Sequence, residues 1–235
     1  MTLPGRRHAA RALLALAGGA SLPGCAYRSL PFVDYQPSLF RVRADSAPTG
    51  AWLFGSIHIG LARFYPLPDA VEQASQSSRR LACEINTSQN WDRLREAFQA
   101  RALLPDGKSL DHFIDEPTLT ALRHHFGMGR YEWQSRLRLR PWALSMLLTS
   151  EDDNRMGAQP AMGLDAHFLG RARESQRPII ELEALDEQIE ALTGGSDTDQ
   201  AAQLADRFRR IRQWDRPLLH IVDAWRCGDD AHLAA

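Results

Sequence analysis

Short apolar runs alternate along this chain with longer segments in which apolar residues recur at helical spacing. The runs LFRV, AWLF, LACEI and IIELE are rich in aliphatic and aromatic residues, which predicts four strands. The first two are separated by the turn-rich segment RADSAPTG, so we predict that they pair as a hairpin. Because AWLF is apolar throughout, this second strand is predicted to be buried.

The helical segments are recognised by apolar residues three or four positions apart. Pro68 suits the first turn of a helix that continues through DAVEQASQSS, and Trp91, Leu94 and Phe98 share one side of the helix NWDRLREAFQARALL. The segments GLDAHFLGRARESQ and DEQIEALTGG predict two more helices. From Thr198 onward the pattern predicts one or two long helices.

The order of these elements indicates the fold class. Strand, helix and strand are followed by a helical, strand-poor stretch at about 88–160, and then by helix, strand and helix. This order predicts an α/β fold in which a mixed sheet is covered by flanking helices. We expect residues 26–235 to form a single domain, with the stretch at about 88–160 as a helical insertion.

Composition and charge limit the classes of partner. Hydrophobic residues make up 44% of the 235 residues, as in ordinary globular proteins. The formal net charge is −1, which does not predict the clustered basic face of a nucleic-acid-binding protein. We therefore expect no nucleic acid among its partners.

The N-terminus carries a targeting pattern. Three arginines precede the apolar segment ALLALAGGASL, which is too short to span a bilayer but matches a signal-peptide core. It runs into LPGC, which resembles the lipobox of bacterial lipoproteins with Cys25 as the lipid-modified residue. Residues 1–25 thus predict export to the periplasm and a lipid anchor in the membrane. Pro23 leaves ordinary signal-peptide cleavage open, and a buried N-terminal helix is the further alternative.

The other two cysteines, Cys83 and Cys227, could pair in an oxidising compartment. Their distance along the chain does not define a bridge, and Cys83 lies among strand-like residues where a reduced cysteine packs as a small hydrophobe.

Four ionisable residues occupy positions at which α/β proteins build sites. His58, Glu84 and Glu183 follow predicted strands, and Asp165 begins a predicted helix. Ligands bind at the carboxyl ends of strands in open α/β sheets, and imidazole with carboxylates suits zinc or manganese. Each residue also has a structural interpretation: a hydrogen-bonded loop histidine, solvent-facing glutamates, and a helix N-cap for Asp165.

Common catalytic motifs do not occur. The sequence has no Gly-x-Ser-x-Gly nucleophile elbow, no P-loop and no HExxH helix. These absences disfavour serine hydrolases and nucleoside-triphosphate enzymes.

Several ordered motifs resemble the TraB/GumN family, which is related to the Tiki proteins. They are WLFGSIHIGLARFYPLPDAVEQASQSSRRLACEIN, RPWALSMLL, GLDAHFLGRARESQRPIIELEALDEQIEAL and DAWRCGDDAHL, from about Phe40 to the C-terminus. The resemblance implies a fold related to the erythromycin-esterase and ChaN-like group. For the Tiki branch it also implies metal-dependent peptidase activity.

Carried onto this chain, the resemblance makes His58 a ligand of a divalent ion (Mn, Co or Zn) and Glu84 a second ligand or the general base. Asp165 and Glu183 occupy the other motif positions and are further candidate ligands. The remaining motif positions are structural: Gly55 for a tight strand-to-loop turn, together with Trp142, Gln188 and Trp225.

The resemblance departs from the family at the C-terminus. Family members continue to a second Gly-x-x-His on a late strand, whereas this sequence stops at Ala235, so we expect an incomplete domain. The function expected is an exported hydrolase that cleaves peptide or protein substrates with metal-activated water. The alternatives are a non-catalytic envelope binding or assembly protein, a degenerate copy of the enzyme, or an esterase-like hydrolase.

Overall fold

Short strands and longer helices alternate in the structure, a computed structural model that describes residues 36–43, 45, 50–213 and 217–233. The predicted targeting segment, with Cys25, lies outside the described residues. The strands are β1 (Leu39–Val42), β2 (Ala51–Phe54), β3 (Leu81–Cys83) and β4 (Ile179–Glu181). The fold is therefore mixed α/β but mostly helical.

The helices account for most of the described chain. They are α1 (Asp69–Ser77), α2 (Thr87–Arg101), α3 (Glu116–His125), α4 (Arg130–Leu137), α5 (Pro141–Arg155), α6 (Leu164–Glu174), α7 (Leu185–Thr193), α8 (Asp197–Gln213), α9 (Pro217–Cys227) and α10 (Asp230–Leu233). Short 3-10 turns cover Ala62–Phe64, Leu110–His112 and Pro160–Met162. No described helix combines the length and the apolar character needed to cross a bilayer.

The strands form two small sheets. Strands β1 and β2 pair antiparallel with Leu39 opposite Phe54, which confirms the predicted hairpin. Strands β3 and β4 pair parallel with Leu81 opposite Ile179. Among the described residues these two pairs remain separate, so the single mixed sheet that we expected is not formed there. Strands of three or four residues offer few backbone groups for joining a wider ladder.

The prediction that β2 is buried was wrong. Phe54 packs inward with Leu39, but Trp52 is 41% exposed and Leu53 is 48% exposed. Successive side chains of a strand point to opposite faces. An apolar run therefore shows only that both faces could be buried, and here part of the strand stays open.

Two hydrophobic clusters form most of the interior. The first, called here the helical core, lies between α3, α4, α5, α8 and the chain that leads into them; its buried members are Leu104, Leu110, Ile114, Leu119, Leu122, Trp133, Leu144, Leu148, Ala201, Leu204 and Phe208. The second, called the site core, comprises Leu61, Phe64, Leu67, Val71, Ala158, Leu164, Val222 and Trp225. The helical core thus draws on α8, which lies outside the predicted insertion.

A third, smaller cluster lies between α2 and α7. Leu94 of α2 is buried there against Ile189 of α7, and Phe98 packs at its edge. Trp91, which helical spacing grouped with these residues, is 61% exposed. Helical spacing groups Trp91 with these residues, but its side chain lies outside this cluster.

Candidate functional site

The loop that follows β2, residues 55–60, is called here the site loop because it carries His58. The N–H of Gly55 donates to Ser38 O (3.2 Å), and the indole N–H of Trp225 donates to Gly55 O (2.7 Å). Trp225 is 2% exposed and belongs to the site core. The start of the site loop is therefore fixed to the buried interior through backbone groups.

The other end of the site loop docks on residues 159–164, called here the supporting turn. Gly60 and Gln159 exchange two backbone hydrogen bonds (3.1 and 2.8 Å), and the N–H of Leu164 donates to Ile57 O (2.9 Å). These bonds bring the loop directly against the first turn of α6.

Glycine makes this docking possible at two positions. A Cβ atom on Gly60 would lie 1.8 Å from Met162 O, and one on Gly163 would lie 2.0 Å from His58 O. Both distances are far below contact distance, so neither position accepts a side chain without moving the backbone. Around Gly55, by contrast, a Cβ would meet open space, and its φ lies outside the left-handed region.

Docking brings three of the predicted site residues together. His58 Nδ1 lies 2.7 Å from Asp165 Oδ2, and His58 Nε2 lies 3.8 Å from Glu84 Oε2. The hydroxyl of Ser56 donates to the other Asp165 oxygen, Oδ1 (3.0 Å). The imidazole is therefore flanked by two carboxylates, one at hydrogen-bonding distance and one beyond it.

Asp165 lies in the first turn of α6, which disfavours its interpretation as a helix cap. The N-cap residue is Gly163, and no side-chain hydrogen bond caps this helix. A negative charge is favoured in the first turn because the helix dipole points its positive end there. The carboxylate is thus available to the site loop.

The electrostatics follow from these contacts. The hydrogen bond to Asp165 raises the pKa of His58, against the effect of partial burial, and the charges of Asp165 and Glu84 raise it further. Burial alone would raise the pKa of Asp165, but the hydrogen bond and charge of His58, with the Ser56 hydroxyl, lower it overall. Asp165 is consequently ionised at neutral pH.

Glu84 and Glu183 reach this edge from adjacent strands in different ways. Glu84 directly follows β3, and 55% of its side chain is exposed next to His58. The backbone N–H of Glu183 donates to Glu84 O (3.0 Å), but among the described residues its carboxylate does not join the His58 contacts. Glu181 instead accepts from the Asn86 N–H (2.8 Å) and from the Asn90 amide (3.1 Å).

Cys83 precedes Glu84 but is a poor nucleophile. Burial, followed by the negative charges of Glu181, Asp165 and Glu84, raises the pKa of its thiol to about 11. The thiol is thus protonated at neutral pH, and the thiolate is the reactive form of cysteine.

Ser56, which contacts Asp165, and Tyr65, which contacts the supporting turn, are site residues that the sequence did not predict. The Tyr65 hydroxyl donates to Met162 O (3.0 Å), and its ring packs on His167 with centroids 4.8 Å apart. Burial and the charge of Asp165 raise the pKa of Tyr65. The hydroxyl of Ser56, two residues before His58 in GSIH, was the signal in the sequence for a side chain that could bond a neighbouring carboxylate.

The remaining motif residues lie away from the imidazole. Trp142 is 7% exposed near the start of α5 and packs its ring on Phe98. Gln188 is half-buried on α7. Trp225 contacts the site loop through the carbonyl of Gly55.

The donors around His58 have the chemistry that a divalent cation needs. His58 Nε2 and Glu84 Oε2 face each other and offer nitrogen and oxygen donors of the types that zinc and manganese accept. Within the described part of the chain, no group of three or more His, Cys, Asp or Glu side chains is placed to hold an ion. The chemistry of His58 and Glu84 therefore suits such an ion. Together they supply two donors that face each other, which is fewer than a complete set of ligands.

Comparisons with known proteins agree with this order of motifs. A profile of the TraB/PrgY/gumN family matches residues 38–235. Two relatives, each named uncharacterized protein YbaP, come from Escherichia coli (strain K12) and Shigella flexneri; both are 28% identical over 144 residues, covering 60% of this chain and 50% of the relative. The chain thus matches about half the length of these relatives. No solved structure matches.

Proposed function

This chain belongs to the TraB/PrgY/gumN family, and on that premise we propose that it is a hydrolase that uses a divalent cation held by His58 and Glu84. The observation that carries the proposal is the pair of donors 3.8 Å apart, on two segments that are far apart in sequence. Both side chains are more than half exposed, so a substrate can reach them. When bound, a divalent cation supplies Lewis acidity, which polarises a carbonyl group and acidifies water.

The chain's own residues have distinct roles in this proposal. His58 contributes its Nε2 atom from a loop that is anchored at both ends. The carboxylate of Glu84 is a ligand or accepts the proton from water, since it is exposed beside the imidazole. The backbone N–H of Glu183 donates to the carbonyl of Glu84, so Glu183 lies beside Glu84 and is a further candidate ligand.

The proposed substrate is a peptide or protein, because the Tiki branch that the motifs resemble cleaves peptide bonds. An esterase-like hydrolase is the variant of this proposal, and a panel of peptides and esters separates the two. The targeting pattern at residues 1–25 supports a location in the periplasm with a lipid anchor at Cys25. Labelling with a radioactive fatty acid, compared between the wild type and Cys25→Ser, tests the anchor.

Metal content is the decisive measurement. The full chain is incubated with Mn²⁺, Co²⁺ and Zn²⁺, separated from free ions, and analysed by mass spectrometry. We expect one ion per chain in the wild type, lost in His58→Ala and reduced in Glu84→Gln, while Glu183→Gln shows whether the third carboxylate takes part. His124→Ala, an exposed histidine on α3, is the matched control. A folded wild type that binds none of these ions contradicts the proposal.

A non-catalytic envelope protein is the second candidate, which also covers a degenerate copy of the enzyme. The number of possible metal ligands favours this candidate. Catalytic zinc sites have three protein ligands, whereas among the described residues two donors, from His58 and Glu84, face each other. This candidate expects that His58→Ala and Glu84→Gln leave both the metal content and any cellular phenotype unchanged. The same experiment therefore separates the two functions.

A further inference from the structure

Asp165 uses both carboxylate oxygens on the site loop. Oδ2 lies 2.7 Å from His58 Nδ1, and Oδ1 accepts the hydroxyl of Ser56 at 3.0 Å. Ser56 and His58 are two residues apart on the same loop, so one carboxylate bridges them. The Asp165 side chain is 24% exposed, whereas the His58 side chain is 68% exposed. The carboxylate thus sits behind the imidazole, on the side away from Glu84.

The protonation of the imidazole follows from this contact. An ionised carboxylate only accepts hydrogen bonds, so the ring nitrogen that faces Asp165 must carry a proton. In the neutral imidazole the lone pair is then on Nε2. Nε2 is the nitrogen that faces Glu84, and their separation of 3.8 Å is too long for a hydrogen bond. Among the described residues Nε2 thus makes no hydrogen bond, and its lone pair can bind an electrophile.

We propose that Asp165 is a positioning residue that, together with Ser56, fixes His58 in the Nδ1–H tautomer and so presents the Nε2 lone pair beside Glu84. The part of this inference in which Nε2 binds a cation rests on the proposed function. The inference differs from the expectation that Asp165 is itself a ligand, because both of its oxygens already accept from the site loop. Ligating histidines commonly donate their second nitrogen to such a carboxylate, which sets the ring's orientation.

The backbone supports the same assignment. The N–H of Leu164 donates to Ile57 O (2.9 Å), so the residues that precede His58 and Asp165 are bonded to each other. Gly163 lets the His58 carbonyl approach at a distance that no Cβ permits. The imidazole and the carboxylate are therefore held in register by the main chain, and the side-chain bond needs no large rearrangement to form.

The tautomer is measured directly by NMR on the metal-free full chain. Histidine is labelled with ¹⁵N, the His58 signals are assigned with His58→Ala, and the pH is raised until the His58 signals stop changing, so that the imidazole is neutral. We expect the proton on Nδ1 in the wild type. In Asp165→Ala we expect a clear population with the proton on Nε2, because the acceptor is gone. Ser56→Ala should change the tautomer less, and the exposed His124 serves as the internal control.

Persistence of the Nδ1–H tautomer in Asp165→Ala overturns the inference. If the alanine variant does not fold, Asp165→Leu, which has a similar shape but no acceptor, takes its place, and an unchanged tautomer there overturns the inference equally. This readout needs no metal. It therefore tests the positioning role even if the wild type binds no ion and the proposed function fails.

A second measurement separates a positioning residue from a ligand. Zn²⁺ binding by calorimetry should be about 10–100-fold weaker in Asp165→Ala than in the wild type, the usual cost of losing an outer-shell partner. His58→Ala should abolish binding. Affinity equal to that of the wild type overturns the inference. Loss as complete as in His58→Ala, with the tautomer unchanged, shows instead that Asp165 is a ligand.

Discussion

The helical region, built around the helical core, is held together by buried side chains, whereas in the site region, built around the site core, the site loop itself is held by close backbone contacts. The helical core buries Leu122, Leu144 and Leu148 completely. The site loop, in contrast, is fixed by main-chain hydrogen bonds to the supporting turn and by two glycines at close approach. Next to it, the β1–β2 hairpin leaves large apolar side chains 41–48% exposed.

Paired polar groups occur in both regions. In the helical region, Arg140 pairs with Asp197 at 2.6 Å, and His125 pairs with Asp152 at 2.8 Å, which ties neighbouring helices together. In the site region, Arg171 pairs with Glu72, and His58 pairs with Asp165 while its imidazole stays open to solvent. Both regions are therefore joined by paired polar groups, and the site region in addition exposes an imidazole on a loop, as is common for loops that carry functional groups.

The largest expected effect is the loss of a side chain from the helical core. Leu122→Ala removes a fully buried leucine and should lower the free energy of unfolding by about 2–5 kcal/mol, measured in urea. On the β1–β2 hairpin, Leu53→Ala removes a leucine that is 48% exposed and should change stability by at most about 0.5 kcal/mol. Equal losses at the two positions would remove the distinction between the helical core and the hairpin.

A smaller effect is expected where the backbone approach is tight. Gly163→Ala places a Cβ 2.0 Å from the His58 carbonyl, so the site loop must move, at a cost of about 1–3 kcal/mol. The control is Gly170→Ala on the same helix, where a Cβ meets open space and should stabilise the fold by about 0.4–1 kcal/mol. Urea unfolding of both variants checks this. A neutral Gly163→Ala would show that the site loop is not closely held.

The smallest effect concerns pH and a buried carboxyl group of the helical region. Burial raises the pKa of Asp153 on α5 from 3.8 to about 6; Asp152 adds to the rise, and the positive charge of Arg207 opposes it. The folded state therefore holds this proton more tightly than the unfolded chain does. The stability that this group contributes is present below pH 3.8 and is lost as the pH rises to about 6.

Asp153→Asn cannot ionise and tests this sign. Between pH 3.8 and about 6, the wild type should lose on the order of 1–2 kcal/mol relative to the variant. Thermal unfolding of both proteins across that range gives the difference. Parallel pH profiles would show that Asp153 is not destabilised by burial, and an opposite trend would indicate an ion pair with Arg207.

Much of the local structure could be predicted because it depends on neighbours in sequence. The spacing of apolar residues located the helix from Leu164 to Glu174, and the run LFRV coincides with β1. Periodicity did not reveal which faces would be covered: β2 was predicted to be buried, and Trp91 was predicted to lie on the same side of its helix as Leu94 and Phe98. Both depend on segments that the pattern of a single element does not contain.

The site shows the same division. The sequence predicted candidate residues after strands, His58 and Glu84, and at the start of a helix, Asp165, because strands, loops and helix starts are set by local composition. The roles were not evident, since the sequence gives no information on which nitrogen faces which carboxylate. That Asp165 lies behind the ring and Glu84 in front of it depends on residues about 26 and 107 positions from His58 meeting in space.

The sequence by itself determined the order of helices and strands, the family, and the chemical groups available for a site, because these follow from residue type and spacing along the chain. The tertiary structure decided that the site loop docks on the supporting turn, where Gly60 and Gly163 leave room for carbonyl groups. It also decided that Asp165 and Glu84 lie beside opposite nitrogens of His58. The physical reason is that hydrogen bonds and contact distances are short-ranged, so they exist only after distant segments have packed.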